Sequence, residues 1–268
     1  MAFLQKYRYS LILLRQLVIT DFKLRYQGSV LGYMWSLLRP LMLFAILYVV
    51  FAQFLRLGDT IPNYPIYLLT GIVLWNFFSE ITNNSVTAIV DKGDLIRKIN
   101  FPKYVIILSA AFSALINLFL NFIVIGIFIW FSDVDLGWSA LLVPLFVFEL
   151  FVFAMALAFI LSALFVRLRD INYIWEVIMQ GMFYATPIIY PLSLVTEKWP
   201  EVAKLLLINP VAQSIQDIRY ALVTKETDTL ASIAAPIWTL IPLTIILITG
   251  LAAVMYFKKR SLYFAEEV

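Results

Sequence analysis

The sequence predicts an all-α polytopic membrane protein, and three observations carry that prediction. Of 268 residues, 63% are hydrophobic and 14% charged, with a mean hydropathy of +0.91, which leaves too little polar surface for a water-soluble globule. The apolar residues gather into windows near or above the roughly 20 needed to cross a hydrocarbon core of about 30 Å. The short alternating segments of a membrane β-barrel are not the pattern of this chain.

Residues 3–26 place Tyr7, Leu11, Leu14, Val18 and Phe22 on one helical face, with Lys6, Arg8, Arg15, Lys23 and Arg25 interspersed. This predicts an amphipathic interfacial helix within residues 3–30, its cations meeting head groups or a partner; a frayed extension of the first span is the alternative. Arg25 to Pro40, with two glycines, Tyr33, Trp35 and a closing Arg39-Pro40, turns the chain from the membrane surface into the membrane.

Six spans follow. The first covers 37–55 and ends in a short loop at Arg56–Asp59. The second covers 65–89 and carries Asn76, Glu80, Asn83 and Asn84, a polar column that must face protein or water because lipid contact is costly. The third, 104–131, has Asn117 and Asn121 four apart on one face, and residues 133–137 make a turn. The fourth covers 138–165, interrupted at Pro144 and carrying Glu149; the fifth covers 171–190. The longest polar insert, 192–232, contains short helices at 201–208 and 213–223, the first after Trp199-Pro200 and the second after Asn209-Pro210. The sixth covers 233–257 and is stopped by Lys258, Lys259 and Arg260.

Six spans leave both termini on one side. That side receives 6, 4, 2 and 3 basic residues in segments 1–39, 90–103, 166–170 and 258–268, 15 of the chain's 20, which places both termini in the cytoplasm. The same distribution argues against a nucleic-acid role, since no concentrated basic face with exposed aromatics remains. A cleavable signal peptide is not expected, because about forty residues precede the first long apolar run. The chain has no cysteine and no histidine, so thiol chemistry, disulfides and the commonest metal ligand are excluded. Glu80, Glu149 and Glu176 fall in three different spans, and no phosphate-binding Gly-Lys-Ser/Thr loop occurs.

Three stretches are candidates for function. The link at 90–103 holds Asp94, Arg97 and Lys98 within one or two helical turns, and its composition suits a solvated loop and a contact for a cytoplasmic partner equally. Arg167, Arg169 and Asp170 form a compact charged motif, the arginines placed to anchor in head groups and Asp170 to cap the next helix. Tyr33, Trp35, Phe44, Tyr48 and Phe51 near span 1, with Phe183, Tyr184 and Tyr190 in span 5, are the aromatics placed to line a path for sugar rings or polyprenyl chains.

Phe22 to Pro40 at the entrance to span 1, Leu168-Arg-Asp-Ile171, Thr186-Pro-Ile-Ile-Tyr-Pro191, and Asn209-Pro210 followed by Arg219 together resemble one family. It is the permease subunit of ABC-2 (type V) exporters of lipid-linked polysaccharide: O-antigen, capsule or wall teichoic acid. The resemblance implies a second copy of the permease and two cytoplasmic ATP-binding subunits holding ATP and Mg, with no cofactor in this chain. It implies that the N-terminal helix (Arg15, Lys23) and the coupling link (Asp94, Arg97, Lys98) contact those ATPases. It further implies re-entrant helices within 192–232, a channel between the two permeases lined by the aromatics above, and undecaprenyl pyrophosphate-linked glycan as substrate in a bacterial inner membrane. The rival classes are an ion-gradient-driven secondary transporter, for which Glu80 and Glu149 are the only hints, and a membrane-embedded lipid- or glycan-modifying enzyme.

Overall fold

A computed structural model describes residues 2–25, 28–59, 61–132, 134 and 136–267. The side chains of Tyr7, Phe22 and Arg25, with Tyr26, Gln27, Asp133 and Asp135, lie outside the described set, so part of the N-terminal face and of the 133–137 turn is not traced further.

Every regular element among the described residues is helical. In chain order they are α1 (Ala2–Arg25), α2 (Trp35–Tyr48), α3 (Tyr64–Asp91), α4 (Gly93–Lys98), α5 (Tyr104–Trp130), α6 (Val143–Arg167) and α7 (Ile171–Ala185), followed by α8 (Ser193–Thr196), α9 (Pro200–Ile208), α10 (Pro210–Leu222), α11 (Leu230–Ile233), α12 (Leu240–Arg260) and α13 (Phe264–Glu267). Among the described residues, four helical stretches are long and apolar enough to cross a membrane: Gly32–Phe54, Tyr104–Trp130, Trp138–Arg167 and Pro236–Arg260. The chain is therefore an all-α polytopic membrane protein.

The other two expected spans fall outside that set for different reasons. Helix α3 has 28 residues, enough for about 42 Å at 1.5 Å per residue, but Asn76 and Glu80 lower its hydropathy. It tolerates them because it is the central helix, packed against α2, α5, α6, α7 and α10, and most of its residues are buried. Helix α7 has 15 residues and stops at Ala185, because a residue before proline disfavours helical backbone and Thr186 is extended (φ −87°, ψ 134°) ahead of Pro187.

Prolines set other boundaries too. Pro144 does not interrupt a helix; it sits in the first turn of α6, where its missing N–H has no partner to lose, and Trp138–Leu142 form a 3₁₀ lead-in. Pro200 and Pro210 likewise open α9 and α10, so α10 begins three residues earlier than the sequence suggests, and Asn209 Oδ1 accepts the Val211 N–H at 3.1 Å. Pro40 lies inside α2 and leaves the Ser36 carbonyl without its usual helical donor. Beyond α2, residues Val49–Phe54 widen into a π-helical segment.

Helix α1 packs on α5, and its Asp21 joins two neighbours: it accepts from Lys92 Nζ at 2.7 Å and from Ser109 Oγ at 3.2 Å. The C-terminal turn α13 packs on α4, and Phe264 is fully buried against Phe257 with ring centroids 5.5 Å apart.

Helix α10 is fastened to α3 by Arg219. A Cβ added at Gly71 would overlap Arg219 Nη2, lie 2.9 Å from Cζ and 3.2 Å from the Ile188 carbonyl oxygen. Gly71→Ala is therefore expected to destabilise the fold by about 2 kcal/mol or more, as overpacking against a fixed group does. Gly126→Ala, with nothing within 4 Å, should be neutral in the same detergent unfolding series; equal midpoints for the two variants would contradict this packing.

Candidate functional site

A polar chamber of about 520 Å³ lies between α2, α3 and α5. Its walls follow from helical spacing. On α3, Asn76, Glu80 and Asn83 recur at steps of four and three, flanked by Ser79 and Asn84; on α5, Asn117 and Asn121 are one turn apart; on α2, Trp35, Ser36 and Arg39 share one turn.

The groups hold one another. Asn117 Nδ2 donates to Glu80 Oε1 at 2.7 Å, Asn83 Nδ2 donates to Ser79 Oγ at 3.0 Å, and Asn121 Nδ2 donates to the Asn117 carbonyl at 2.8 Å. Asn121 also reaches the Ser36 carbonyl that Pro40 leaves unbonded, at 3.4 Å, which joins α2 to α5. Asn117 is 6% exposed, and its Oδ1 is buried with no hydrogen-bond partner. Arg39 makes no ion pair among the described residues. Asn84 also lines a smaller cavity of about 190 Å³ with Asp21, Asp91 and Lys92, so a polar track continues along α3 toward α4.

The sequence singled out the α3 column and the α5 asparagines separately. It did not bring them together, and it missed Arg39 as a wall residue; the signal was a lone arginine one step before a helical proline.

The aromatic candidates divide into two groups on either side of α3. Tyr33 and Trp35 are half exposed, whereas Phe44 is 9% exposed and packs on Tyr48 and on Phe128 of α5 at 5.7 Å; Phe51 is half-buried. On α7, Phe183 meets Trp75 of α3 at 5.7 Å and Tyr184 is 71% exposed; Tyr190, beyond the helix, donates to the Tyr184 carbonyl at 3.3 Å. Only Trp35 of these eight lines the polar chamber.

Asp94, Arg97 and Lys98 sit on α4, exposed, with an Asp94–Arg97 ion pair of 2.7 Å. The Arg97 hydrogen bond, then the charges of Arg97 and Lys98, hold the Asp94 carboxyl below the usual range. Arg15 lines an apolar groove between α1 and α5, and Lys23 is exposed. Arg167 is exposed and Arg169 lies over the Phe165 ring at 5.1 Å. Asp170 makes no side-chain cap to α7, contrary to the capping expected of it.

A second cavity, of about 660 Å³, opens between α6, α10 and α12 and is mostly apolar apart from Glu149, Asp217, Gln213 and a few hydroxyls. Burial pushes the Asp217 carboxyl from 3.8 up to about 6, opposed in part by the Gln213 amide, which donates to it at 2.9 Å.

Long apolar helices packed around a polar chamber define a multi-pass membrane protein. Among the described residues, no group of three or more acidic, histidine or cysteine side chains could hold a metal ion. The family model described as ABC-2 type transporter matches residues 12–223, and the chain belongs to that family. It is 29% identical to the O-antigen export system permease protein RfbA of Myxococcus xanthus over 259 residues, covering 96% of this chain and 95% of that one. It is 30% identical to the protein of the same name from Klebsiella pneumoniae (80% and 82% covered), and 23% identical to the polysialic acid transport protein KpsM of Escherichia coli (76% and 79%).

Asp217 gives a pH dependence with a definite sign. Its folded pKa lies above the unfolded value, so between about pH 4 and pH 6 the folded chain keeps a proton that the unfolded chain has released. Stability should therefore fall as pH rises through that window, Asp217 contributing on the order of 3 kcal/mol at 1.36 kcal/mol per unit. Asp217→Asn should flatten the dependence of the unfolding midpoint on pH; an unchanged slope would show that Asp217 is not its source.

Proposed function

We propose that this chain is the permease subunit of an ATP-driven exporter that moves undecaprenyl-pyrophosphate-linked polysaccharide across a bacterial cytoplasmic membrane. The observation that carries this reading is the near end-to-end match to an O-antigen export permease, 96% of one chain on 95% of the other. Among the polymers that such permeases handle, the names of these relatives favour an O-antigen-type polysaccharide over capsule or teichoic acid.

In this reading two copies assemble with two cytoplasmic ATP-binding subunits, which supply ATP and Mg. Helices α2, α3, α5, α6, α7 and α12 are the six spans, both termini are cytoplasmic, and the 192–232 segment re-enters from the outside. The basic-residue distribution supports that orientation. Exposed Tyr33, Trp35 and Tyr184 line the path between copies, with Tyr48, Phe51, Phe183 and Tyr190 beside them and Phe44 behind. Arg167, Arg169 and Asp170 anchor the cytoplasmic end of α6.

Coupling runs through α4. It presents Asp94, Arg97 and Lys98 to solvent while Ile96 is buried and α13 packs on it, so it is a charged knob on a fixed base. Arg15 and Lys23 on α1 add cations on the same side, and α1 is tied to the α3–α4 junction through Asp21 and Lys92.

Arg97→Glu with Lys98→Glu is expected to abolish export while leaving membrane insertion unchanged, read as loss of surface glycan and of permease-stimulated ATPase activity in proteoliposomes. Normal export by this double variant would remove α4 from the coupling role. A strain lacking the chain should accumulate lipid-linked glycan inside; transport by the purified chain on an ion gradient, with no ATPase, would favour the secondary-transporter class instead.

A further inference from the structure

We infer that the chamber between α2, α3 and α5 is a carbohydrate-binding site built wholly within each subunit, taking a hexopyranose unit of the transported glycan. This rests on the export reading above and adds to it a site that the aromatic path between copies does not supply.

The chemistry of the walls selects the ligand class. A sugar hydroxyl both donates and accepts, so its site needs donors and acceptors converging from several directions, together with an apolar surface for the ring's C–H face. Asparagine side chains offer both on one planar group, and two helices contribute them here, Asn76 and Asn83 from α3 with Asn117 and Asn121 from α5, while α2 places Ser36 beside them. Trp35, 42% exposed at the same chamber, supplies the flat face.

Competing ligands fit less well. Arg39 and Glu80 are the chamber's charged groups, one of each sign, so the chamber selects neither an anion nor a cation. Asparagine carbonyls are oxygens a hard cation accepts, but the one carboxylate is offset by Arg39 on the same wall, so no net negative charge draws a cation in. A lipid tail would prefer the groove between α1 and α5, which is lined by Leu11, Leu14, Phe112 and Leu115 and is almost wholly apolar. A neutral polyhydroxylated ring is what remains, and a volume of about 520 Å³ sits within the range of small-molecule sites.

Asn117 is the second, independent observation. Its Nδ2 is committed to Glu80, which fixes the amide, and its Oδ1 is left buried without a donor. Buried acceptors are nearly always satisfied. That acceptor is shielded from solvent beside the chamber, so a sugar hydroxyl reaches it through a rotation of the Asn117 side chain.

The chain contains no cysteine, so a single thiol can report occupancy. Ser79→Cys, a near-isosteric change on the chamber wall, is introduced into the full chain together with its ATPase partner in lipid nanodiscs; Asn84→Cys, also on the wall, serves as a second reporter. Labelling by a polar maleimide is timed with mannose, galactose, N-acetylglucosamine or glycerol 3-phosphate as probe. A monosaccharide at four times its Kd should slow labelling about fivefold, as simple site occupancy requires. Trp35→Phe should keep that protection and Trp35→Ala should lose it.

No slowing by any monosaccharide at either position, or slowing by glycerol 3-phosphate alone, would overturn the assignment. The surface glycan of a deletion strain separates the two levels of the argument. Lost export with unprotected thiols defeats the chamber site and leaves the export function standing. Normal export in the deletion strain defeats the export function, and this site with it.

Discussion

A guanidinium with no counter-ion holds the structure together. Arg219 is fully buried, and it forms no ion pair among the described residues. Its Nε donates to the Tyr67 carbonyl at 2.9 Å, Nη1 to the Pro187 carbonyl at 2.5 Å and to Gln216 Oε1 at 3.0 Å, and Nη2 to the Ile188 carbonyl at 2.6 Å, while the Tyr67 ring lies 3.6 Å from its Cζ. Burial lowers its pKa, and the nearby tyrosines oppose that. Desolvating a cation costs several kcal/mol, which is recovered only when every donor finds a good acceptor. Two of the four acceptors come from the break after α7, where Pro187 and Ile188 leave helical geometry and expose their carbonyls. The same proline that shortens α7 thus creates the site that fastens α10.

Further bonds make a single body of this region. Tyr64 donates to the Ile189 carbonyl at 2.8 Å, Tyr67 donates to Gln216 Oε1 at 3.2 Å, and Gln216 Nε2 donates to the Asp228 carbonyl at 3.1 Å. Asp228 in turn accepts from Thr196 at 2.8 Å. The insert between α7 and α12 is therefore a packed cap on one end of α3. The middle of α3 forms the polar chamber, and its far end runs into α4 after Lys92, which is held by Asp21. In the proposed exporter one continuous 28-residue helix connects the outer cap, the chamber and the coupling knob. A displacement at α4 then needs no chain of side-chain relays to reach the cap, because a rigid helix carries it.

Much of this was legible in the sequence, and the parts that were not share a cause. Local chemistry reads well: the polar column on α3, the Asn117–Asn121 pair, the short helices after Pro200 and Pro210, and the charged turn at Asp94–Lys98 all follow from spacing and from the residues that start or stop helices. Arg219 appeared only as a residue following Asn209-Pro210, because three of its four partners are 31, 32 and 152 positions away. Gly71 carried no local signal either: it is an ordinary helical residue whose small size matters only once α10 lies against it. Arg39 read as part of a membrane entrance, and its place in the chamber depends on how α2 meets α5. Pro144 was misread in the other direction, since a proline in an apolar run marks a helix start as readily as a break, and only the 3₁₀ lead-in decides between them.

The two proline-linked contacts, at Pro40 and Pro187, apply one rule in opposite halves of the chain. A backbone carbonyl released from its helix within the protein must find another donor. At Pro187 the donor is the Arg219 guanidinium, and the result is a fixed junction. At Pro40 the donor is the Asn121 amide, which must also serve the Asn117 carbonyl, and at 3.4 Å the contact to Ser36 is long. A shared and lengthened bond is weaker than a charge-assisted one at 2.5–2.9 Å. The α2–α5 contact beside the chamber is therefore the softer of the two, and α2 is the wall best able to shift against α3 while the cap stays attached.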